Sequence, residues 1–193
     1  MSQPITAGSF LVATPSLLDP NFVQTVVLMC SHNEEGSFGL IVNRRLHLPF
    51  NHILQQMNDL PDSCDPNADY GPVYLGGPVD RHRLLALRHS MAPSLGGDDQ
   101  PVISGVHLIN DLHATLVGVG SQSIHPSQVR FLLGYAGWGE GQLDQEVEEG
   151  SWEVRPGNAR LIFATRTDAM WSAALGIDDE GEMGPSMPSP SLN

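Results

Sequence analysis

The chain has 193 residues, of which 40% are hydrophobic, and its 22 acidic and nine basic residues give a net charge of −13. This length fits one domain of ordinary size. All nine basic residues are arginines, which excludes Schiff-base catalysis by a lysine and a Walker A phosphate loop. The acidic balance argues against a general nucleic-acid binder, because neutralisation of phosphates supplies most of that affinity.

The sequence also bears on compartment and metal binding. Cys30 and Cys64 are the two cysteines, too few for a disulfide scaffold or a structural zinc site. No apolar run approaches the roughly 18–20 residues that a membrane span needs. The N-terminal residues 1–4 do not begin a basic and then apolar signal peptide. We therefore expect a cytoplasmic protein with no membrane segment, no metal site and no cofactor.

The first half of the chain predicts strands joined by tight turns. Apolar and β-branched runs predict strands over residues 8–13, 23–31, 38–42, 73–75 and 83–88. Residues 32–37 have hairpin-turn chemistry, with Gly36 able to take a positive φ. Asn51 is predicted to cap a short helix that contains Ile53 and Leu54. An acidic loop over residues 58–72 separates this helix from the fourth strand.

The second half mixes helices with strands. After a loop over 90–100, the pattern predicts strands over 102–108, 129–135, 151–155 and 160–164, and helices over 111–117, 140–149 and 168–175. Gly176 is placed to end the last helix. Residues 177–193 are rich in acids, proline and glycine, which predicts a disordered tail.

These elements predict the fold class. Strands and helices are mixed, and most links between strands are too short for helical crossovers. This favours an α+β fold with a mainly antiparallel sheet. Residues 1–176 are predicted to form a single compact domain.

Cys30 and His32 are candidates for thiol chemistry. Residues i and i+2 of a strand project to the same face, and a histidine beside a cysteine lowers the thiol pKa. The alternative is a buried thiol and a histidine that closes a hairpin. The sequence identifies no third, orienting residue.

The glycine-rich turn over residues 134–142 follows a strand and opens a helix. Such a turn can bind an anion on helix N–H groups. Glu140 lies in its first helical turn and would repel phosphate. The alternative is a tight turn anchored by Trp138.

Arginines that lie apart from the acidic clusters form a candidate nucleic-acid patch. They are Arg44, Arg45, Arg81 and Arg83. The alternative is an ordinary solvated face whose charges are balanced by nearby acids.

Four segments in register resemble one known family. They are residues 8–22, 26–44, 73–79 and 134–143, with Glu146 and Trp152 after them. In this order and spacing the chain resembles the YqgE/AlgH family of small bacterial proteins, over about residues 8–176. Arg45 stands where the family pattern usually has a proline.

The resemblance implies a compact α+β fold with a curved, partly barrel-like sheet surrounded by helices. Many members of the family are labelled transcriptional regulators, and no catalytic residues can be carried over. We therefore expect a regulator or adaptor that is not an enzyme and acts through a protein partner, since direct nucleic-acid binding would rest on the arginine patch alone.

The alternative function is a small-molecule or nucleotide-binding domain, with a Cys30–His32 thiol enzyme as its sharpest version. It requires the signature segments to converge on one pocket. The candidate pocket residues are Thr14, Pro15, Cys30, His32, Asn43, Gly76, Gly77, Tyr135, Trp138 and Gln142.

Overall fold

A computed structural model of the chain describes residues 3–57, 63–94 and 99–177. Within these residues nine strands form one curled sheet, in the order β6-β7-β5-β8-β3-β2-β1-β9, with β4 paired to β8 beside this path. The strands are β1 (Ser9–Ala13), β2 (Val26–Asn33), β3 (Gly36–Ile41), β4 (Val73–Leu75), β5 (Val79–His89), β6 (Gln100–Ile103), β7 (Val106–Leu108), β8 (Val129–Trp138) and β9 (Trp152–Pro156).

Helices in the described residues surround this sheet. They are α1 (Phe50–Gln56), α2 (Leu112–Gly120), α3 (Gln142–Glu148), α4 (Ala159–Ala164) and α5 (Met170–Leu175). Asp111 caps α2 by accepting a hydrogen bond from the Ala114 N–H, and Gly176 ends α5 in a left-handed conformation. Both ends use the residue types that helix termini favour.

The long strand β8 is the centre of the sheet. It pairs antiparallel with β3 and β5, and parallel with the short strand β4. All other strand pairs are antiparallel. The predicted α+β fold with a mainly antiparallel sheet is therefore confirmed.

The sheet curls until its two ends approach each other. A Cβ on Gly157, which follows β9, would lie 1.9 Å from the Gly8 carbonyl oxygen and 2.8 Å from the Ile103 side chain of β6. Only residues without a side chain allow the backbones to come this close. The result is the half-barrel that the family resemblance implies.

Apolar side chains on both faces of the sheet form the core. Along β2, Leu28 and Cys30 belong to one cluster, whereas Val27 and Met29 belong to another. A third cluster packs α1 and α2 against the sheet through residues such as Leu54 and Leu116. The helices therefore cover opposite faces of the curled sheet.

Three sequence predictions differ from the structure. Residues 102–108 are predicted as one strand, but the chain reverses at Gly105, whose φ of +87° suits a tight turn, and forms the β6–β7 hairpin. Residues 160–164 are predicted as a strand but belong to α4, because Asn158 accepts a hydrogen bond from the Arg160 N–H and caps a helix there. Asn51 lies inside α1, and Pro49 occupies the cap position instead.

Three sequence predictions lie wholly or partly outside the described residues. They concern the disordered tail, except for Ile177, residues 58–62 of the acidic loop, and residues 95–98 of the loop over 90–100. The division into a domain over 1–176 and a tail stays a prediction.

Candidate functional site

The loop after β1 is held against the α3–β9 connection. The Thr14 hydroxyl donates to the Gly150 carbonyl oxygen at 2.8 Å. It also lies 2.8 Å from the hydroxyl of Ser16. Pro15 beside it is exposed. Thr14 therefore anchors the loop rather than projecting into a cavity.

Trp138 and Gln142 take part in a cluster around one carboxylate. The indole N–H groups of Trp138 and Trp152 donate to the same oxygen, Oε2 of Glu146, at 3.0 and 2.9 Å. The Gln142 amide donates to the other oxygen at 2.9 Å. Phe22 of the β1–β2 loop stacks on Trp138 at 6.0 Å and meets Trp152 edge-on at 5.4 Å. Glu146 therefore accepts three hydrogen bonds, and both indole N–H groups have an acceptor.

Asn43 joins the end of β3 to the same loop. Its Oδ1 accepts the Val26 N–H at 2.8 Å, and its Nδ2 donates to the Gln24 carbonyl oxygen at 2.9 Å. Gln24 has a φ of +55°, which a residue other than glycine adopts only under constraint. Asn43 therefore satisfies the polar backbone atoms of a strained turn.

Gly76 and Gly77 allow two backbones to touch. A Cβ on Gly76 would lie 2.2 Å from the Gly134 carbonyl oxygen, and one on Gly77 would lie 2.1 Å from the Tyr135 carbonyl carbon. The Tyr135 ring packs on Phe38, with centroids 5.2 Å apart. This part of the signature brings the β4–β5 link onto β8.

Cys30 and His32 point to opposite faces of the sheet. The β2–β3 register shifts between Met29 and Ser31, and such a bulge reverses the alternation of side chains. Cys30 is buried in the core, where burial raises the pKa of its thiol to about 12. His32 instead bonds the Ser37 hydroxyl at 2.7 Å and lies 3.7 Å from Asp144 of α3.

The structure does not bring Cys30 and His32 together, and the thiol of Cys30 stays protonated at neutral pH. The other predicted pocket residues lie in the four arrangements described above: the loop after β1, the carboxylate cluster, the glycine contact and the β3–loop junction. A ligand-binding role for these residues stays a prediction.

The four arginines of the predicted patch have different neighbours. Burial lowers the pKa of Arg44, the charge of Asp19 opposes this shift, and the charge of Arg81 adds to it. Arg45 lines a depression of about 550 Å³ with His47 and Arg166. Arg83 lines a smaller depression of about 290 Å³.

Arg44 and Arg81 lie on a surface that we call the Arg44–Arg81 face. It comprises Leu18, Asp19, Asn21, Val23, Arg44, Val79 and Arg81. Arg44 donates to the Val23 carbonyl oxygen at 3.1 Å, and Arg81 donates to Asn21 Oδ1 at 3.3 Å. These bonds link the β1–β2 loop to the start of β5.

The Arg44–Arg81 face combines charge with exposed apolar side chains. Leu18 is 78% exposed, and Val23 and Val79 are also exposed. Asp80, between Val79 and Arg81, has a φ of +47°. Strained backbone of this kind is concentrated at functional sites. Sequence reasoning missed the apolar part, because an isolated exposed leucine in a loop is an ordinary feature.

The structure describes residues 3–57, 63–94 and 99–177. There, no group of three or more His, Cys, Asp and Glu side chains is arranged to hold a metal ion. No helix in those ranges has the length and hydropathy to cross a membrane.

Comparison with known proteins identifies the family. A family model described as AlgH-like matches residues 10–178. The chain belongs to the AlgH-like family. This assignment confirms the resemblance found in the signature segments.

Relatives in several bacteria share this family's sequence. A UPF0301 protein of Chlorobium chlorochromatii is 36% identical over 173 residues, covering 90% of this chain and 86% of its own. A UPF0301 protein of Thioalkalivibrio sulfidiphilus is 36% identical over 174 residues, covering 89% and 90%. These names state no ligand, partner or reaction.

Solved structures share the AlgH-like fold. The solution structure of the AlgH protein from Pseudomonas aeruginosa has a TM-score of 0.70 and 27% identity, and the match covers 96% of this chain and 99% of that one. The crystal structure of a Corynebacterium diphtheriae protein has a TM-score of 0.68 and covers 95% and 91%. At 22% sequence identity, this similarity shows that the two proteins share a fold and nothing further.

Proposed function

We propose that this protein is a cytoplasmic adaptor without enzymatic activity, which binds an acidic and partly apolar segment of a protein partner. It acts on transcription through that partner and does not contact DNA. The observation that carries this proposal is that Arg44 and Arg81 both donate hydrogen bonds to the β1–β2 loop, where Leu18 is 78% exposed.

The chemistry of the face supports a protein segment as its ligand. Exposed apolar side chains next to arginines are typical of protein interfaces, where arginine is enriched. Asp19 offsets part of the arginine charge, which leaves a local positive region on a chain of net charge −13. An acidic segment with an apolar side chain complements both features.

The same arrangement disfavours direct DNA binding. A duplex binder typically neutralises about six to ten phosphates, whereas the predicted patch has four arginines, of which Arg45 and Arg83 line different depressions. Four arginines on a chain of net charge −13 are fewer cations than such a binder uses.

The proposal also fits the state of the predicted nucleophile. Cys30 is buried, its thiol is protonated at neutral pH, and the imidazole of His32 lies on the other face of the sheet. A thiol enzyme needs an accessible thiolate next to a base.

Site-specific photo-crosslinking in cells tests the adaptor function. The crosslinking amino acid replaces Leu18 in one variant and Met91 in the matched control, because these side chains are 78% and 79% exposed. Val79 begins β5, whereas Met91 follows the end of that strand. We expect a discrete adduct with one protein from position 18 only. The adduct should disappear when Arg44→Gln and Arg81→Gln are added.

The identified partner is then tested as a purified protein. Isothermal titration should give binding that the Arg44→Gln/Arg81→Gln variant weakens by about tenfold or more, as expected for charge-assisted contacts. Fluorescence anisotropy with labelled duplex DNA should show no binding at low salt. Salt-sensitive duplex binding that is lost in the double variant would replace the adaptor by a direct DNA-binding regulator.

A further inference from the structure

A basic depression lies between residues 43–47 and residues 166–168. Its volume is about 550 Å³, within the range of small-molecule sites. We call it the Arg45–Arg166 depression. Its lining residues are Asn43, Arg45, His47, Arg166, Thr167 and Asp168.

The lining offers many hydrogen-bond donors and one carboxylate. Asp168 forms an ion pair with Arg166 through both of its oxygens, and this hydrogen bonding lowers the pKa of the Asp168 carboxyl. The carboxylate thus neutralises Arg166. Among residues 3–57, 63–94 and 99–177, Arg45 and His47 form no ion pair. The depression therefore retains donors for an anion.

A buried arginine lies next to one wall of the depression. The Arg130 guanidinium donates to the carbonyl oxygens of Val42, next to Asn43, and Ile162 of α4. It is 6% exposed and lies 4.0 Å from the centre of the Tyr74 ring. Tyr74 in turn forms a β-bridge with Arg45.

The charge of Arg130 has no carboxylate partner within the part of the chain that the structure describes. Burial lowers its pKa to about 10, so it remains a cation at neutral pH. A buried charge is screened less than one in water, and its field extends into the adjoining depression. An anion bound there offsets part of the cost of burying Arg130.

We propose that the Arg45–Arg166 depression binds the phosphate group of a small phosphorylated molecule. Guanidinium groups pair with phosphate oxygens through two parallel hydrogen bonds. The His47 imidazole and the Thr167 hydroxyl line the same space and supply further hydrogen-bonding groups. The proposed phosphate site uses other side chains than the Arg44–Arg81 face. The two proposals are therefore tested independently.

Two-dimensional ¹H–¹⁵N NMR on the full chain tests the site. The probes are inorganic phosphate, adenosine monophosphate and glucose 6-phosphate, with sodium chloride as the control for ionic strength. We expect saturable shifts for residues 43–47 and 166–168, with dissociation constants of about millimolar for inorganic phosphate. Phosphate esters that bind about tenfold more tightly than inorganic phosphate indicate that the depression contacts the organic part. Equal affinities indicate a site for free phosphate.

Substitutions on the exposed rim separate specific binding from general charge. Arg45→Gln and His47→Gln should each weaken phosphate binding, the arginine variant by about tenfold. Arg155→Gln on β9 is the matched control and should leave binding unchanged, because Arg155 is an exposed arginine already paired with Glu153. The proposal is overturned by an absence of shifts at about 50 mM phosphate, or by shifts that persist unchanged in the Arg45→Gln variant.

Discussion

The indole N–H groups of Trp138 and Trp152 converge on one carboxylate oxygen, Oε2 of Glu146, at 3.0 and 2.9 Å. Trp138 ends β8, Trp152 begins β9, and Glu146 lies on α3 between them in sequence. A single acidic side chain therefore ties the central strand to an edge strand through a helix. Phe22 packs on both indole rings and brings the β1–β2 loop into the same cluster.

This geometry predicts a large cost for removing the carboxylate. Glu146→Ala leaves the N–H donors of two buried indole rings without an acceptor and should lower the free energy of unfolding by about 2–3 kcal/mol. Urea denaturation followed by tryptophan fluorescence measures the loss. Glu148→Ala, an exposed residue of the same helix, should change stability by less than about 0.5 kcal/mol. Equal effects of the two substitutions would contradict a special role for Glu146.

The contact between the β4–β5 link and β8 predicts that Gly77 tolerates no side chain. A Cβ there would lie 2.1 Å from a backbone carbon of Tyr135, so Gly77→Ala should destabilise the protein by about 3 kcal/mol or more. Gly139→Ala is the control, because its Cβ would meet only the Gln142 side chain at 3.9 Å. Chemical denaturation should show that the control changes the free energy of unfolding by less than about 0.5 kcal/mol. A near-neutral Gly77→Ala variant would show that the two backbones are not in contact.

The buried ion pair between Arg88 and Asp99 predicts strong coupling. Both side chains are 7% exposed, and Arg88 Nη2 lies 2.9 Å from Asp99 Oδ2. Removing either partner leaves a buried charge, so Arg88→Met and Asp99→Leu should each cost about 3–5 kcal/mol.

The double variant Arg88→Met/Asp99→Leu should recover much of that loss, because no uncompensated charge remains. Denaturation curves of the four proteins in this cycle provide the coupling energy. Additive losses would mean that the two side chains do not interact.

The buried thiol of Cys30 predicts unequal alkylation. Its pKa lies near 12 rather than 9.0 because of burial, so almost no thiolate is present at pH 8. Iodoacetamide should modify the partly exposed Cys64 first, and both cysteines should react in urea. Mass spectrometry of the labelled peptides measures the two rates. Modification of native Cys30 at the rate of a free thiol would contradict its burial.

The same shift has a consequence at high pH. The unfolded thiol releases its proton near its ordinary pKa of 9.0, whereas the folded thiol retains it until about 12. Stability from this group is therefore present below pH 9 and is lost as the pH rises from 9 towards 12. Replacing Cys30 with alanine should flatten that part of the stability curve.

Local sequence determined many of the elements. Apolar runs predict β1, β4 and β8, and Gly176 marks the end of α5. These signals come from residues that are neighbours along the chain. Short apolar runs do not distinguish a strand from a short helix. The segment 160–164 therefore required its Asn158 cap to be recognised as α4, and 102–108 required the turn at Gly105 to be recognised as a hairpin.

The side chains that meet in space were decided by the tertiary structure. Regular alternation of side chains along a strand predicts Cys30 and His32 on one face of the sheet. One extra residue in β2 reverses this alternation and separates the two side chains. Arg44 and Arg45 are adjacent in sequence but have different neighbours: Arg44 interacts with Asp19 and Arg81, whereas Arg45 lines the Arg45–Arg166 depression. Successive residues of an extended chain point in opposite directions. The positions of Asp19, Asn21 and Arg166 relative to these arginines could not be predicted from spacing.

The sequence by itself therefore determined the family, the α+β class and turns such as the β2–β3 hairpin, because glycine, proline and the alternation of apolar residues act over a few residues. Tertiary structure alone decided that two tryptophans share Glu146, that Arg44 and Arg81 bind the same loop, and that Arg130 is buried next to a wall of the Arg45–Arg166 depression. Each of these contacts joins residues from separate elements, and the curl of the sheet sets the distances between them.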